Sequence, residues 1–192
     1  MIYYSDTPQG TPEWLAERCG LLTASNFATA MGKGETRRKL MHKLRAERRT
    51  GIVEGGYKTP AMQRGNDLEP EARAVAAFEL DADIKEVGLA TNGRWAGLGA
   101  SLDGLISDSV GWETKCPTQI THDIYLWENR LPPRYKWQVY GQMMICELQA
   151  IWFMSYYPGD DNLLIKVERD EEAIAELQVG LMKFMAELEK ML

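Results

Sequence analysis

The spacing of apolar positions changes period twice along the chain. Up to Leu80 it is helical. Thr11-Pro12-Glu13-Trp14 opens a first helix, with Thr as N-cap and Pro at the first helical position. Thr23 to Met31 opens a second short helix, and Glu35 to Thr50 forms a third, closed by Gly51. Gly51 to Tyr57 reads as a loop. Ala61 to Leu80 is a longer helix, with Leu68, Ala72, Val75, Ala76 and Phe78 as its apolar face. The period then shortens. Ile84–Thr91, Trp95–Ser101, Leu102–Ser107 and Val110–Cys116 are brief runs punctuated by Gly, Asn and Asp, and they predict an antiparallel meander. Helical spacing returns at Gln119–Glu128 and Pro133–Glu147. Strands follow at Ala150–Tyr157 and Asn162–Glu168, joined through Pro158-Gly159-Asp160. A last helix, Asp170–Leu192, carries the seam Ile174, Leu177, Leu181, Phe184, Leu188 and Met191. Helices before, between and after a mixed sheet predict an α/β (α+β) domain. No linker or internal repeat divides it, so residues 1–192 are expected to form a single domain.

Composition narrows the class without changing that picture. Of 192 residues, 45% are hydrophobic and 26% charged, which excludes a disordered or fibrous chain. No apolar run is long enough to cross a bilayer, and the N-terminus has no basic, apolar leader. Three scattered cysteines (Cys19, Cys116, Cys146) make neither a disulfide framework nor a Cys-x-x-Cys site, so a reducing, cytoplasmic setting is expected. Charge is more informative. The net value is −6, yet the segment from Lys33 to Arg49 holds eight cations against two acids. A basic segment on an acidic body predicts a directed contact with a polyanion.

The chemistry concentrates between Ser101 and Lys115. Asp103 ends one strand beside a glycine. Glu113 and Lys115 lie two apart on the next strand and share a face. A hairpin brings Asp103 beside Glu113, and two converging carboxylates are hard oxygen ligands suited to Mg²⁺ or Mn²⁺. A lysine on that face can orient or deprotonate a water. Together these can hydrolyse a phosphodiester. A Glu-x-Lys on a strand is commonly just an exposed ion pair. Here it sits in otherwise apolar strands, after a helix that offers a further carboxylate, Glu69.

Five segments occur in order: Trp14-Leu-Ala-Glu-Arg18-Cys-Gly-Leu-Leu-Thr-Ala-Ser25, Arg64-Gly-Asn-Asp-Leu-Glu69-Pro70, Ser101-Leu-Asp103-Gly, Glu113-Thr-Lys115 and Gln138-Val-Tyr-Gly-Gln142. The set resembles the lambda-exonuclease family of phage recombination nucleases, the YqaJ-type viral recombinases, within the PD-(D/E)xK superfamily. The resemblance implies a restriction-endonuclease-like core, two Mg²⁺ ions and 5′-to-3′ digestion of one strand of duplex DNA. It also implies a ring-shaped homotrimer threaded by DNA ends, and a single-strand annealing protein as partner. Carried over by position, Asp103 and Glu113 are metal ligands with the Thr114 carbonyl beside them, and Lys115 handles the attacking water. Glu69 assists from its helix, directly or through water, and Gln138 holds Lys115 or the water. Arg18 and Ser25 match positions for the 5′-phosphate, and Ser101 a phosphate near the scissile bond. Leu102 replaces the superfamily's usual proline.

The basic segment adds Lys33, Arg37, Arg38 and Arg45 as candidate DNA grips. His42 and His122 read as surface residues. Cys116, Trp127, Trp137 and Trp152 read as core, and Trp14 is a candidate wall of the DNA-end pocket. The activity expected is therefore a Mg²⁺-dependent exonuclease leaving a 3′ single strand for recombination. A PD-(D/E)xK endonuclease and a catalytically silent DNA-end-binding module are the alternatives.

Overall fold

The computed structural model describes residues 1–53 and 59–192, so most of the loop expected at 51–57 lies outside the described residues. The strands form two four-stranded sheets rather than one meander. The first has the order β1-β3-β4-β2, from β1 (Ile2–Tyr4), β2 (Leu22–Thr23), β3 (Leu89–Asn92) and β4 (Leu98–Ser101). The second runs β5-β6-β7-β8, from β5 (Gly104–Ser107), β6 (Val110–Lys115), β7 (Ala150–Ser155) and β8 (Leu163–Glu168). Both are mixed: β2 is parallel to β4, β6 is parallel to β7, and the other pairs are antiparallel. The parallel β6–β7 pair requires a crossover. It is made by α5 (Gln119–Glu128), a single 3₁₀ turn at Pro133–Tyr135 and α6 (Lys136–Cys146). β1 and β2 are absent from the reading by period, because two or three residues carry no periodicity.

The remaining helices are α1 (Pro12–Glu17), α2 (Phe27–Met31), α3 (Glu35–Thr50), α4 (Pro60–Leu80) and α7 (Glu171–Glu189). Local chemistry sets their ends. The Thr11 hydroxyl accepts from the Trp14 N–H, and the Asp170 carboxylate accepts from the N–H groups of Glu172 and Ala173. Gly51 closes α3 at φ +67°.

Two apolar layers cover the second sheet. On one side α6 and α7 bury Val139, Met143, Ile174, Leu177, Leu181, Phe184 and Leu188 with Ile151 and Phe153. On the other, Ala72 and Ala76 of α4 meet Trp112, Met154 and Tyr156. The alternation along β6 follows: Trp112 points to α4, while Glu113, in register with Phe153, points to α6. Only the small residues of α4 are buried; Phe78, expected inward, is 87% exposed. The glycine in Gln138-Val-Tyr-Gly141-Gln142 has a packing reason, since a Cβ there would lie 2.3 Å from the Phe27 ring. Helices around central mixed sheets give the restriction-endonuclease-like architecture. Asp103 lies at its seam, between the end of β4 and the start of β5, where the chain passes from one sheet to the other.

Candidate active site

Five sequence candidates, Asp103, Glu113, Thr114, Lys115 and Gln138, meet at the end of β6. Asp103 Oδ2 accepts from the Thr114 N–H at 2.8 Å, just beyond the Gly104–Trp112 register pair. A residue's N–H and C=O leave a strand on the same side, so the Thr114 carbonyl also faces the Asp103 side. Glu113 is 1% exposed and has both oxygens engaged. Oε1 takes the Lys115 ammonium and Gln138 Nε2 (2.5 Å); Oε2 takes Gln142 Nε2 (2.6 Å). From α4, Glu69 accepts from Arg73 at 2.7 Å, and Arg73 also donates to the Asp103 carbonyl at 3.2 Å. Pro70, next in the helix, has no N–H for the Asn66 carbonyl. Glu69, Pro70, Arg73 and Asp103 line an open cleft of about 980 Å³.

The electrostatics are those of crowded carboxylates. Loss of solvent and the neighbouring Glu113 charge push the Asp103 carboxyl well above the usual range. Glu69 is raised too, by burial and then by Glu113, against the lowering influence of Arg73. Burial by itself would depress Lys115, but Glu113 and Asp103 outweigh it and hold the ammonium charged. Lys115 is therefore a hydrogen-bond donor in this state, not a free base.

Does this donor set fit a divalent cation? Among the described residues no three His, Cys, Asp or Glu side chains form a ready-made cage. The chemistry is nonetheless right. Three carboxylates repel one another, all the donors are hard oxygens, and the Gln142 Oε1 is buried without a partner beside Glu113. Asp103, the Thr114 carbonyl and a Glu113 oxygen released by Lys115 or Gln138 would hold the ion, with Glu69 adjacent.

A second cluster adjoins the first through Ser101. Arg18 caps the end of α1, donates to Ser101 Oγ (3.3 Å) and Thr23 Oγ1 (3.2 Å), and stacks 4.0 Å over the Trp14 ring. Ser25 Oγ lies 3.3 Å from Thr23 Oγ1. Arg18, Ser25, Ser101 and Trp14, distant in sequence, thus converge. Burial lowers the Arg18 guanidinium to about 10, with Glu47 opposing. The turn after Arg18 is held from α3. Gly20 (φ +71°) donates its N–H to the buried Glu47 at 3.0 Å, and its carbonyl accepts from Arg48 Nε at 2.9 Å. Gln142 joins the two clusters, because the same Nε2 reaches Glu113 and the Ser101 carbonyl (3.0 Å).

The basic segment divides. Arg37 is directed inward: it donates to the Ala30 carbonyl (3.1 Å) and Glu187 (2.7 Å) and lies 5.0 Å over Phe184. Arg45 donates to the Met191 carbonyl at 2.6 Å, and Arg48 to Glu189 at 2.6 Å. These three arginines fasten α3 to α7 and to the residues just past its end. Lys33 and Arg38 are exposed.

Some residues were misjudged or missed from sequence. His122 is fully buried, with Nδ1 2.8 Å from Ser155 Oγ and Nε2 2.8 Å from the Asp161 carbonyl, so it ties α5 to β7 and is no surface residue. Trp127 is 89% exposed, not core. Cys116 is half-buried, and burial, then Asp103, pushes its thiol up to about 11, which leaves it inert. Tyr135 was missed: its ring lies 5.5 Å from the Lys115 ammonium. So were Arg73 and Arg64, the latter donating to the Cys116 carbonyl at 3.1 Å and fixing the chain just after Lys115. Arg64 opens the Glu69 motif itself, and Arg73 and Tyr135 lie within four residues of Glu69 and Gln138.

The chain is similar to known proteins over most of its length. The model of the YqaJ-like viral recombinase domain matches residues 13–149. No curated protein sequence matches. The fold is similar to an alkaline exonuclease from Laribacter hongkongensis, LHK-Exo, at 39% identity and a TM-score of 0.87, over 94% of this chain and 93% of that one. A structure of LHK-Exo in complex with dAMP is similar at 38% identity and a TM-score of 0.88, with the same coverage. A phage-related exonuclease from Haemophilus somnus 129PT shares the fold at 13% identity and a TM-score of 0.67, over 89% of this chain and 94% of that one. On the domain match, the identity to LHK-Exo and the coverage, this chain belongs to the family of YqaJ-like viral recombinases.

Proposed function

We propose that this chain is a Mg²⁺-dependent exonuclease that digests one strand of duplex DNA from its 5′ end and leaves a 3′ single-stranded overhang for recombination by strand annealing. The observation that carries the reading is the link between the two clusters. An arginine pocket (Arg18, Thr23, Ser25) and a carboxylate–lysine centre (Asp103, Glu113, Lys115) share Ser101 and Gln142. One fits a terminal phosphate and the other a phosphodiester next to it. The name of the similar LHK-Exo, an alkaline exonuclease, supports the same class of activity.

Each residue then has a task. Arg18 meets the terminal 5′-phosphate with charge-assisted hydrogen bonds, and Ser25 adds a hydroxyl. Asp103, Glu113 and the Thr114 carbonyl would hold Mg²⁺, with Glu69 close by; the family expectation is two ions, and Mn²⁺ should substitute. When bound, the ion supplies Lewis-acid stabilisation of the developing phosphoryl charge. Lys115 donates to the attacking water or a phosphate oxygen; Glu113, itself held by Gln138, and the Tyr135 ring keep its ammonium in place. Water adds its oxygen to phosphorus, the bond to the 3′ oxygen breaks, and the proton reaches the leaving 3′-hydroxyl. The product is a 5′-mononucleotide, and the shortened strand carries a new 5′-phosphate for Arg18.

Linear and covalently closed duplexes, each with Mg²⁺ or EDTA, test this. Loss of only the linear form in Mg²⁺ is expected. Cutting of the closed circle would indicate the endonuclease, and binding without cutting the silent module. On linear DNA a 5′-phosphorylated end should be digested faster than a 5′-hydroxyl end, and Arg18→Ala should erase most of that difference. Equal rates for both ends with the wild-type protein would remove Arg18 from this role.

A further inference from the structure

The connector between α5 and α6 carries a second basic patch, outside the Lys33–Arg49 segment. From Asn129 through the first residues of α6 to Gln138 the chain reads Asn-Arg-Leu-Pro-Pro-Arg-Tyr-Lys-Trp-Gln: three cations and no acid, in a chain of net charge −6. Arg130 pairs with Glu128 at 3.5 Å. Among the described residues neither Arg134 nor Lys136 has a carboxylate partner, whereas four cations of α3 (Arg37, Lys39, Lys43, Arg48) do. An exposed guanidinium with tyrosines but no carboxylate beside it, on a chain of net negative charge, is a place where a polyanion gains charge pairing at little desolvation cost.

The patch is rigid and close to the chemistry. Pro132 is buried, Pro133 opens the 3₁₀ turn, and the Tyr135 N–H donates to the Pro132 carbonyl at 2.9 Å. Little backbone freedom is left to lose on binding. The Arg134 guanidinium lies 5.9 Å from the Tyr135 ring centre, and Lys136 Nζ lies 4.4 Å from that of Trp137. Tyr125 meets Tyr135 edge to face at 6.2 Å and props it from below. The same Tyr135 ring lies 5.5 Å from Lys115 Nζ. One aromatic ring thus separates the catalytic lysine from Arg134. A strand places a phosphate about every 3.4 Å of helix axis, so Arg134 lies within a few phosphates of the one being cut. From Glu113, Arg18 is reached through Gln142 and Ser101, but Arg134 through Lys115 and Tyr135, so the two arginines sit on separate branches of the site.

We infer that Arg134, with Lys136 beside it, is a phosphate clamp that grips the DNA backbone a few nucleotides from the scissile bond. It rests on the nuclease reading for its ligand, but it is measured by binding alone. The probe is a 5′-phosphorylated duplex with a fluorescent label, titrated in EDTA at several salt concentrations with wild type, Arg134→Gln, Arg134→Lys, Lys136→Gln and, as control, Lys166→Gln. Lys166 pairs with Glu168 on β8, so its variant removes a charge elsewhere. Removing one cation that grips a phosphate should lower the log–log salt slope by about 0.9 on duplex, or about 0.7 if the gripped segment is single-stranded. Arg134→Gln and Lys136→Gln should each show that decrease, with weaker binding at low salt. Arg134→Lys should keep most of the slope, and Lys166→Gln all of it. Slopes equal to wild type for both Arg134→Gln and Lys136→Gln would overturn the clamp, as would an equal drop in Lys166→Gln. If Arg134→Gln fails to fold by circular dichroism, Lys136→Gln and Arg134→Lys decide. A wild type that binds with these slopes but cuts nothing in Mg²⁺ would sink the nuclease reading and leave the clamp standing.

Discussion

Asp103 is held in a position that suits a metal and disfavours the empty protein. Its carboxyl is pushed up by enclosure and by Glu113, so in the metal-free chain it costs stability once it ionises. The sign follows from linkage. With the folded value above the unfolded one, near 3.9, stability is lost as pH rises from that value through the folded one. Asp103→Asn keeps an acceptor for the Thr114 N–H but carries no charge. In EDTA its melting temperature should therefore exceed that of wild type, by a margin that widens from pH 4.5 to pH 8. Mg²⁺ should raise the wild-type melting temperature and leave that of the variant nearly unchanged, and the variant should lose cleavage. A variant less stable than wild type at pH 8 in EDTA would show that Asp103 is a structural acceptor rather than a metal ligand. Glu113 differs: both of its oxygens are already bonded, so its removal strands Gln138, Gln142 and Lys115 together.

At the scale of elements, α3 is where sequence and structure part. As a charge run it reads as one DNA-gripping face. Folded, it has two faces, because Met41 and Leu44 must be buried and they carry Arg37, Arg45 and Arg48 toward α7 with them. The two faces should respond differently to neutralisation. Arg37→Ala and Arg45→Ala should lower the melting temperature by several degrees and leave the salt slope of DNA binding alone. Lys33→Gln with Arg38→Gln should do the reverse. Thermal melts beside salt titrations of binding check both, and a slope change in the Arg37 variant would return that residue to the DNA face. Helix α7 shows the opposite outcome. Its periodic seam is core as far as Leu188, because a single amphipathic stripe has one best place to be buried.

At the scale of the molecule, the chain leaves apolar side chains in water. Ile120, Ile124 and Trp127 line one side of α5, and Val179 and Met182 lie on α7. The homotrimeric ring that the family resemblance implies would have to cover some of this surface. Light scattering on the purified protein should give three times the 21.8 kDa chain mass, and a single-chain mass across working concentrations would overturn the ring. For the described residues, no helix is long and apolar enough to cross a membrane.

What could be read from the sequence is what neighbours in the chain decide. Caps at Thr11 and Asp170, the closing Gly51, helix α3 from Glu35 to Thr50 and α5 from Gln119 to Glu128 depend on contacts within a few residues, and all were legible. So was the pairing of Asp103 with the Glu113–Lys115 strand, because one short hairpin joins them. The rest needed the fold. Whether four middle strands make one sheet or two depends on partners far away, β1 and β2 for one and β7 and β8 for the other. His122 is buried by β7 and the loop after it, and Arg37 turns inward because of Glu187, a residue 150 positions away. The arginine pocket and the carboxylate centre become one site only through Gln142, whose amide spans Ser101 and Glu113. Periodicity and caps are local free energies and leave their mark in sequence. A shared hydrogen bond between distant segments exists only once the core has brought them within about 3 Å, and no pattern of neighbours encodes it.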